Sequence, residues 1–269
     1  MVRMGDPSRC APSYFHKITT KEYKGFLNYL LMGIDFTGLE ALLFAHHNVK
    51  NKQNCLTLGR QQLHRNTDLI HALLNKWHFS ELTKNNYQCN EFCEKLLTDL
   101  GYNIVDSIDN SNYENATIIH NLNNPIPSNF KKYDFIFDGG TTEHIFNTAQ
   151  VCENIINLLE IDGIYCSVVP NNNFSGHGIY QFSPEFFLSA YSKEYGMEIV
   201  ALYIAKNDSQ IHEWINVNYY DEKNIGRTQD SFNSLDEVYV IVVAKKISND
   251  RLSLITNSPN QYSYKKYFW

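Results

Sequence analysis

The sequence predicts a doubly wound α/β fold: a seven-stranded, mostly parallel sheet with helices on both faces, preceded by a helical segment. Short apolar runs bounded by glycine, proline or acidic residues alternate with segments whose apolar residues recur at helical spacing. Alternation of this kind is typical of parallel sheets. In addition, residues 135–137 form a continuous apolar run, as expected for a strand that is buried on both faces.

Three regions follow from this pattern. Residues 1–53 are predicted to be a helical segment or lid, because apolar residues recur at helical spacing between residues 19 and 47. Residues 54–246 contain the alternating strands and helices and are interpreted as the main domain. Residues 247–269 are a C-terminal tail.

The first strand of the main domain is "NCLTLGRQ" at residues 54–61, which ends in glycine and precedes a predicted helix over residues 68–77. A helix stopped by Gly101 leads into the second strand, which ends at Asp106 or Asp109. The segment "ATIIHNLNNPIP" then gives the third strand.

The fourth strand opens the stretch "YDFIFDGGTTEHIFN" at residues 133–147, and a helix closed by Gly163 follows it. The fifth strand, "IYCSVVP", is expected to stop at Pro170. A helix then begins with Ser183 as N-cap and Pro184 at its first position. The last two strands are "MEIVALYIA" and "VYVIVVAKK"; no helical pattern separates them, so the final strand can insert antiparallel.

Composition narrows the class of protein. Hydrophobic residues make up 43% of the 269 residues and charged residues 19%, as in folded globular proteins. The net charge of −6 and the lack of basic runs argue against a nucleic-acid partner. No apolar run approaches the ~20 residues of a membrane helix. We expect a cytoplasmic protein with reduced cysteines and no membrane insertion.

Polar residues follow the fourth strand directly. Asp138, Gly139, Gly140, Glu143 and His144 come just past its carboxyl end. In open α/β sheets the carboxyl ends of the strands form the ligand-binding edge. The stretch therefore predicts part of a site.

The order of these signals resembles that of class I S-adenosylmethionine-dependent methyltransferases, whose sheet is Rossmann-like. The resemblance covers residues 54–246. Within that family, "DGGTTEHIFN" together with "PNNNFSGHGIYQFSPE" resembles a bacterial branch associated with capsule and other surface-polysaccharide biosynthesis. It implies S-adenosyl-L-methionine as cofactor. It also implies a small acceptor, either a carbohydrate or a nucleotide-activated or phosphate-linked precursor.

The resemblance assigns cofactor contacts to the ends of the first two strands. Gly59, with Leu58 and Arg60 beside it, would let the backbone approach the methionine or ribose part of the cofactor. Asp109 resembles the acid that accepts hydrogen bonds from the ribose hydroxyls, and Asp106 is the alternative. The loop "LGRQQL" departs from the family pattern, because it has one glycine where several are common.

Further cofactor contacts are implied after the third and fourth strands. Asn121, followed by Leu122, stands where the family often has an acid near the adenine amino group. Asp138 and Gly139 are placed near the methionine part, where Asp138 either contacts the ammonium group or caps the following helix.

The acceptor end is assigned to two histidine-containing loops. An alcohol is a poor nucleophile until its proton is removed, and a neutral histidine suits that task. His144 is predicted to be the base, with Glu143 orienting it or binding substrate. His177, between two glycines, is the second candidate and would line the acceptor pocket. The other predicted acceptor-pocket residues are Asn171, Tyr180 and Gln181.

Alternatives remain at this point. Some sugar methyltransferases bind and acidify the acceptor with a divalent ion, but no recognised ligand spacing appears, so no metal is predicted. An oxidoreductase or another nucleotide-binding α/β enzyme would require G-x-G-x-x-G after the first strand, which is missing. A catalytically silent partner subunit with the same fold is the third possibility.

Overall fold

The computed structural model describes residues 33–217 and 236–260. The predicted helical pattern before residue 33, part of the polar segment before the last strand and the end of the predicted tail lie outside the described residues. Within them the α/β architecture is confirmed. No described helix is long and apolar enough to cross a membrane, and the five described cysteines are free.

The elements are numbered here in chain order. The strands are β1 Gly33–Ile34, β2 Asn54–Leu58, β3 Gln62–Leu63, β4 Ile104–Asp109, β5 Ile118–Ile119, β6 Tyr133–Asp138, β7 Leu159–Asn172, β8 Met197–Lys206, β9 Ile215–Asn216 and β10 Val238–Lys246. The α-helices are α1 Phe36–His46, α2 Thr67–Lys76, α3 Glu94–Asp99, α4 Thr148–Leu158 and α5 Pro184–Ala190.

The central sheet has the strand order β5-β4-β2-β6-β7-β10-β8-β9. Strands β5, β4, β2, β6 and β7 run parallel to one another. Strand β10 inserts antiparallel between β7 and β8, which confirms the expectation for the final strand. The predicted count of seven strands is wrong: the two-residue edge strand β9 makes eight, and it is too short to show a periodic pattern.

The junction between α4 and β7 also differs from the prediction. Helix α4 ends at Leu158, and β7 begins at the next residue, so Gly163 lies inside the strand and does not close the helix. A Cβ on Gly163 would lie 2.9 Å from Tyr133 O, so the glycine permits close backbone approach. Strand β7 also continues past Pro170, because β6 has already ended at Asp138, opposite Ser167, and no parallel neighbour requires the missing proline N–H.

Two layers of apolar side chains cover the sheet. Along β6, Phe135 and Phe137 face the layer that contains α1, α2 and α3. Ile136 faces the layer that contains α4 and α5. Helix α1, which falls within the predicted N-terminal segment, is therefore packed into the core of one face, with Leu42 fully buried.

The strand order creates a switch point between β2 and β6. From β2 the chain moves outward to β4 and β5, and it then returns to add β6 and β7 on the other side of β2. Loops that leave two neighbouring strands in opposite directions open a crevice at their carboxyl ends. The structure places this crevice beside Leu58, which is paired with Asp138 on one side and Ile108 on the other.

Helix α1 ends in a histidine that is shielded from solvent. His46, at the end of α1, is fully buried, and its Nδ1 lies 3.1 Å from the Tyr102 hydroxyl. The Lys52 ammonium donates to His46 Nε2 at 2.9 Å. Burial, with the neighbouring Lys52 charge, lowers the pKa of His46 to about 3.

This burial predicts loss of stability in acid. The unfolded chain protonates a histidine near pH 6.5, whereas folded His46 stays neutral down to about 3. Acidification below pH 6.5 should therefore reduce the free energy of unfolding by ~1.4 kcal/mol per pH unit through this group. Urea unfolding at several pH values between 6.5 and 4.5 should show a shallower pH dependence in His46→Gln. The exposed control His212→Gln should keep the wild-type slope. Equal slopes in all three proteins would show that His46 does not cause the loss of stability in acid.

Candidate active site

The loop after β2 forms one wall of the crevice. Gly59 has φ +67°, a conformation that glycine adopts without strain. A Cβ at this position would lie 2.9 Å from Thr141 Oγ1. The Gly59 N–H donates to Ile108 O at 2.8 Å. The turn therefore brings bare backbone to the sheet edge at the switch point.

The two residues after Gly59 point in opposite directions. Arg60 turns away from the crevice: its Nε donates to Glu94 Oε1 at 2.6 Å, and its guanidinium lies over the Phe92 ring. Gln61 turns inward and is buried, with its Nε2 donating to Leu58 O at 2.6 Å. Gln61 Oε1 has no hydrogen-bond partner among the described residues. From the sequence, Arg60 and Gln61 were expected either to point away from the cofactor or to take over a contact, because the loop has few glycines; Gln61 was not assigned a cofactor contact.

The two aspartates of β4 have different surroundings. Asp109, at the carboxyl end of the strand, accepts from Ser111 N at 2.8 Å through Oδ1 and is partly exposed. Asp106 lies within the strand, where it accepts from the Tyr133 hydroxyl at 3.0 Å and pairs with Lys131. Asp109 is thus the acid nearer the crevice edge.

The predicted adenine-side residues occupy a turn after β5. Asn121 is exposed, and its Oδ1 accepts from Asn123 N at 3.0 Å. The Leu122 side chain is buried in the core layer beneath the sheet edge, and its carbonyl accepts from Asn154 Nδ2 at 3.0 Å. The turn is therefore held by the protein, and of the two predicted residues only Asn121 is exposed.

Asp138 is a buried acceptor at the end of β6. Its carboxylate accepts from Thr141 N at 2.9 Å and from the hydroxyls of Thr142, Tyr165 and Ser167 at 2.7 to 3.1 Å. Burial raises the pKa of Asp138 despite these hydrogen bonds. Of the two roles predicted for this residue, that of a helix cap is wrong, because Asn147 caps the following helix, α4. The contacts of Asp138 instead tie the loop that follows β6 to the sheet.

Gly139 lies between this carboxylate and the glutamine of the first loop. A Cβ on Gly139 would lie 2.9 Å from Phe137 Cε1 and 3.0 Å from Gln61 Oε1. The absence of a side chain at this position lets the two loops of the crevice meet.

Glu143, His144 and His177 form a cluster at the far end of the same loop. Glu143 lies in a 3₁₀ turn, Thr142–His144, and is fully buried. Its Oε1 lies 3.4 Å from His177 Nε2 and 3.7 Å from His144 Nε2. Neither Glu143 oxygen, nor His144 Nε2, has a hydrogen-bond partner among the described residues. The structure therefore unites the three residues predicted to be catalytic.

Backbone hydrogen bonds hold the two histidine loops together. Ile179 N and Tyr180 N both donate to Glu143 O, at 2.9 and 3.1 Å. A Cβ on Gly178 would lie 2.9 Å from Glu143 Cγ. The glycine after His177 therefore allows that loop to close over Glu143.

The three groups of the cluster perturb one another. Burial raises the pKa of Glu143. Burial, together with the nearby His177, lowers the pKa of His144. The Glu143 carboxylate raises the pKa of His177. Perturbation of this kind in a cleft is typical of functional sites.

The predicted acceptor-pocket residues border the cluster. The Tyr180 hydroxyl donates to Phe146 O at 2.9 Å, and the Phe146 ring, 72% exposed, lies beside the Tyr180 ring. Asn171 Nδ2 donates to Phe182 O, and Gln181 Oε1 accepts from Phe174 N. These two amides thus hold the backbone of the loop, while the two aromatic rings form its outer surface.

No protein-family model matches this chain, and no curated protein matches it. Similar solved structures include TehB from Haemophilus influenzae, with 12% identity, a TM-score of 0.41 and coverage of 78% of this chain and 63% of that one. The Burkholderia thailandensis 1,6-didemethyltoxoflavin-N1-methyltransferase has 12% identity, a TM-score of 0.41 and 84% coverage of both chains. The plantazolicin methyltransferase BpumL has 14% identity, a TM-score of 0.44 and coverage of 85% and 91%.

The contrast between Asp138 and Asp109 gives a test. Asp138→Ala should lower the free energy of unfolding by about 3 kcal/mol or more, because four donors lose a buried acceptor. Asp109→Ala, at the partly exposed edge, should lower it by about 1 kcal/mol or less. Urea unfolding followed by circular dichroism measures both. Equal losses would show that Asp138 does not anchor the loop.

Proposed function

We propose that this protein is an S-adenosylmethionine-dependent methyltransferase. It would O-methylate a sugar or sugar-like precursor, including a phosphate-linked one, of a surface polysaccharide. The proposal is supported by the β2–β6 switch point, where Gly59 follows β2, Asp109 ends β4, and the loop after β6 leads to the cluster of Glu143, His144 and His177.

The residues of the first side fit the cofactor. Gly59 presents backbone without a Cβ, and Gln61 Oε1 is a buried acceptor with no partner among the described residues. Asp109 Oδ1 accepts a hydrogen bond from Ser111 N, and Oδ2 accepts none from the described residues. An acid in this position suits the two ribose hydroxyls, and Asn121 offers an amide to the adenine. Leu58 and Gly139 complete the wall on which the methionine part would lie.

The cofactor supplies a methyl group on a sulfonium, which is already activated for transfer. The chain must then align the acceptor oxygen with that methyl group and exclude water. The loop of residues 138–144 connects the two ends of the site, because Thr141 Oγ1 donates to Leu58 O at 2.7 Å beside Gly59. Glu143 follows two residues later. Cofactor and acceptor would therefore be positioned by one anchored loop.

The cluster supplies the chemistry that the acceptor needs. An alcohol must lose its proton as it attacks, and Glu143, His144 and His177 are the ionisable groups gathered at this end of the loop. In this proposal all three are catalytic, with His144 the predicted base. Tyr180 and the exposed Phe146, whose rings are tilted by 42° to each other, give an apolar surface that suits a sugar ring. The surface-polysaccharide assignment itself is supported by the motif resemblance.

Two rival functions are less well supported. A dinucleotide-dependent oxidoreductase needs a glycine-rich phosphate loop after β2, and Arg60 and Gln61 occupy that position instead. A silent partner subunit would gain nothing from Glu143, because a buried carboxylate without hydrogen bonds destabilises the fold. The cluster is better explained by function than by stability.

Cofactor binding can be tested at Asp109. Asp109→Ala should weaken binding of S-adenosylmethionine and S-adenosylhomocysteine by ~2 to 4 kcal/mol, because two hydrogen bonds to a charged acceptor are lost. Asp106→Ala should leave the affinity unchanged. Titration calorimetry measures both variants. The opposite pattern would move the role to Asp106, and wild-type binding of NADH but of neither sulfur compound would exclude the proposed activity.

Turnover can be tested at His144. His144→Ala should reduce methyl transfer to a sugar acceptor by ~10² to 10⁴ and leave the affinity for S-adenosylhomocysteine nearly unchanged, because the lost group acts on the acceptor. The exposed control His212→Ala should keep wild-type rates. Full activity in His144→Ala would remove the cluster from the reaction.

A further inference from the structure

Among the described residues, the carboxylate of Glu143 and the imidazoles of His144 and His177 offer three ligand atoms within 4.8 Å of one another. We propose that these three side chains bind a divalent first-row transition-metal cation. The cation site rests on the geometry of the cluster alone. The role of the cation in catalysis rests in addition on the proposed function.

The spacing of the donor atoms matches a coordination sphere. Bonds of about 2.0 to 2.2 Å from zinc to nitrogen and oxygen, at tetrahedral angles, place neighbouring ligand atoms roughly 3.3 to 3.6 Å apart. Glu143 Oε1 lies 3.4 Å from His177 Nε2 and 3.7 Å from His144 Nε2. Two of the three donor separations therefore match the edges of a tetrahedral site, and the third is within 4.8 Å.

The hydrogen bonding of the cluster also favours a bound cation. Glu143 is fully buried, and both of its oxygens lack hydrogen-bond partners among the described residues. A buried carboxylate in that state destabilises the fold by several kcal/mol unless a cation compensates it. His144 Nε2 is also buried and without a hydrogen bond, as a ligand nitrogen must be. A bound cation satisfies all of these atoms together.

The backbone around the cluster holds the ligands in place. Glu143 O accepts from Ile179 N and Tyr180 N, so the loop that carries His177 is fixed to the residue that supplies the carboxylate. Gly140 lies close to the ligand oxygen, since a Cβ there would be 3.1 Å from Glu143 Oε1. The ligands come from two loops that are preorganised before any cation binds.

The donor set indicates the class of cation. Magnesium and calcium prefer oxygen ligands throughout, whereas two imidazoles with one carboxylate suit zinc, iron, cobalt or manganese. Three protein ligands also leave at least one position open, as in catalytic sites. The sequence did not predict this site, because Glu143 and His144 are adjacent and His177 is distant, a spacing that matches no recognised motif.

In the proposed reaction the open position would hold the acceptor hydroxyl oxygen. A bound cation would lower the pKa of that hydroxyl, and the proton would leave to solvent before methyl transfer. The oxygen then bonds to the methyl carbon as the carbon–sulfur bond breaks and its electron pair returns to sulfur. His144 acts here as a ligand, in place of the free base expected from the sequence.

The site can be tested by binding, without an activity assay. Full-length protein freed of metal by a chelator should bind one Zn²⁺ per chain by titration calorimetry. His177→Ala should weaken binding by about 100-fold or more, because even groups that only orient a ligand are worth 10- to 100-fold in affinity. His177 is partly exposed, so this variant should fold, and its thermal melt checks that.

Matched variants make the result decisive. Cys89→Ser and His212→Ala remove an exposed thiol and an exposed imidazole away from the cluster, and both should retain the wild-type affinity. Co²⁺ in place of Zn²⁺ should give the visible absorption of a four- or five-coordinate site, and His144→Ala should abolish that band. No stoichiometric binding, or binding that survives in His177→Ala, would overturn the proposal.

Failure of this inference can be separated from failure of the proposed function. Metal-free protein that binds S-adenosylmethionine and transfers methyl groups at the full rate would refute the cation and keep the methyltransferase. Protein that binds Zn²⁺ through the cluster but neither S-adenosylmethionine nor S-adenosylhomocysteine would keep the cation site and refute the methyltransferase.

Discussion

The pairing of β2 with both β4 and β6 determines where every other part of the site can lie. Leu58 is opposite Ile108 on one side and Asp138 on the other, so three strands end together at one edge of the sheet. Because the chain leaves β2 and β6 toward opposite sides, the loops above this edge separate and a crevice opens. The acid of β4 and the loop of β6 are brought to the same place by backbone hydrogen bonds alone.

The loop after β6 converts that edge into a defined site. Asp138 holds the first turn of the loop by accepting four hydrogen bonds, and Thr141 ties it to Leu58. These contacts fix the direction in which the chain reaches Glu143. The second histidine loop then closes on the Glu143 carbonyl. The hydrogen bonds to Asp138 thus support the cluster around Glu143, in which buried polar atoms lack hydrogen bonds to the described residues. This arrangement is expected where stability is given up for ligand binding.

Much of the fold was predictable because its signals are local. The strands that lead to Gly59 and Asp138 are short apolar runs with clear boundaries, and the structure contains both. The strand between them is present too, although its sequence left the end open between Asp106 and Asp109. The extension of β7 past Pro170 was not predictable, because it depends on where a neighbouring strand ends. Strand β9 was not predictable either, because two residues are too few to show the alternation of a strand.

The candidate site, too, could be predicted only in part. Glu143, His144 and His177 could be named because they follow predicted strands, but their convergence depends on a contact between two loops that no sequence pattern encodes. Gln61 was missed for a related reason: only the structure shows that Arg60 turns outward while Gln61 turns inward. Asp138 was assigned two possible roles, and two of its three hydroxyl partners, Tyr165 and Ser167, come from β7, which is distant in sequence.

The most direct test of the account is a crystal structure of the protein with S-adenosylhomocysteine. The account predicts the ligand in the β2–β6 crevice, with its ribose against Asp109 and its sulfur directed toward the cluster of Glu143, His144 and His177. Binding elsewhere on the chain, or a sulfur atom directed away from that cluster, would contradict the claim that cofactor and acceptor meet at this switch point.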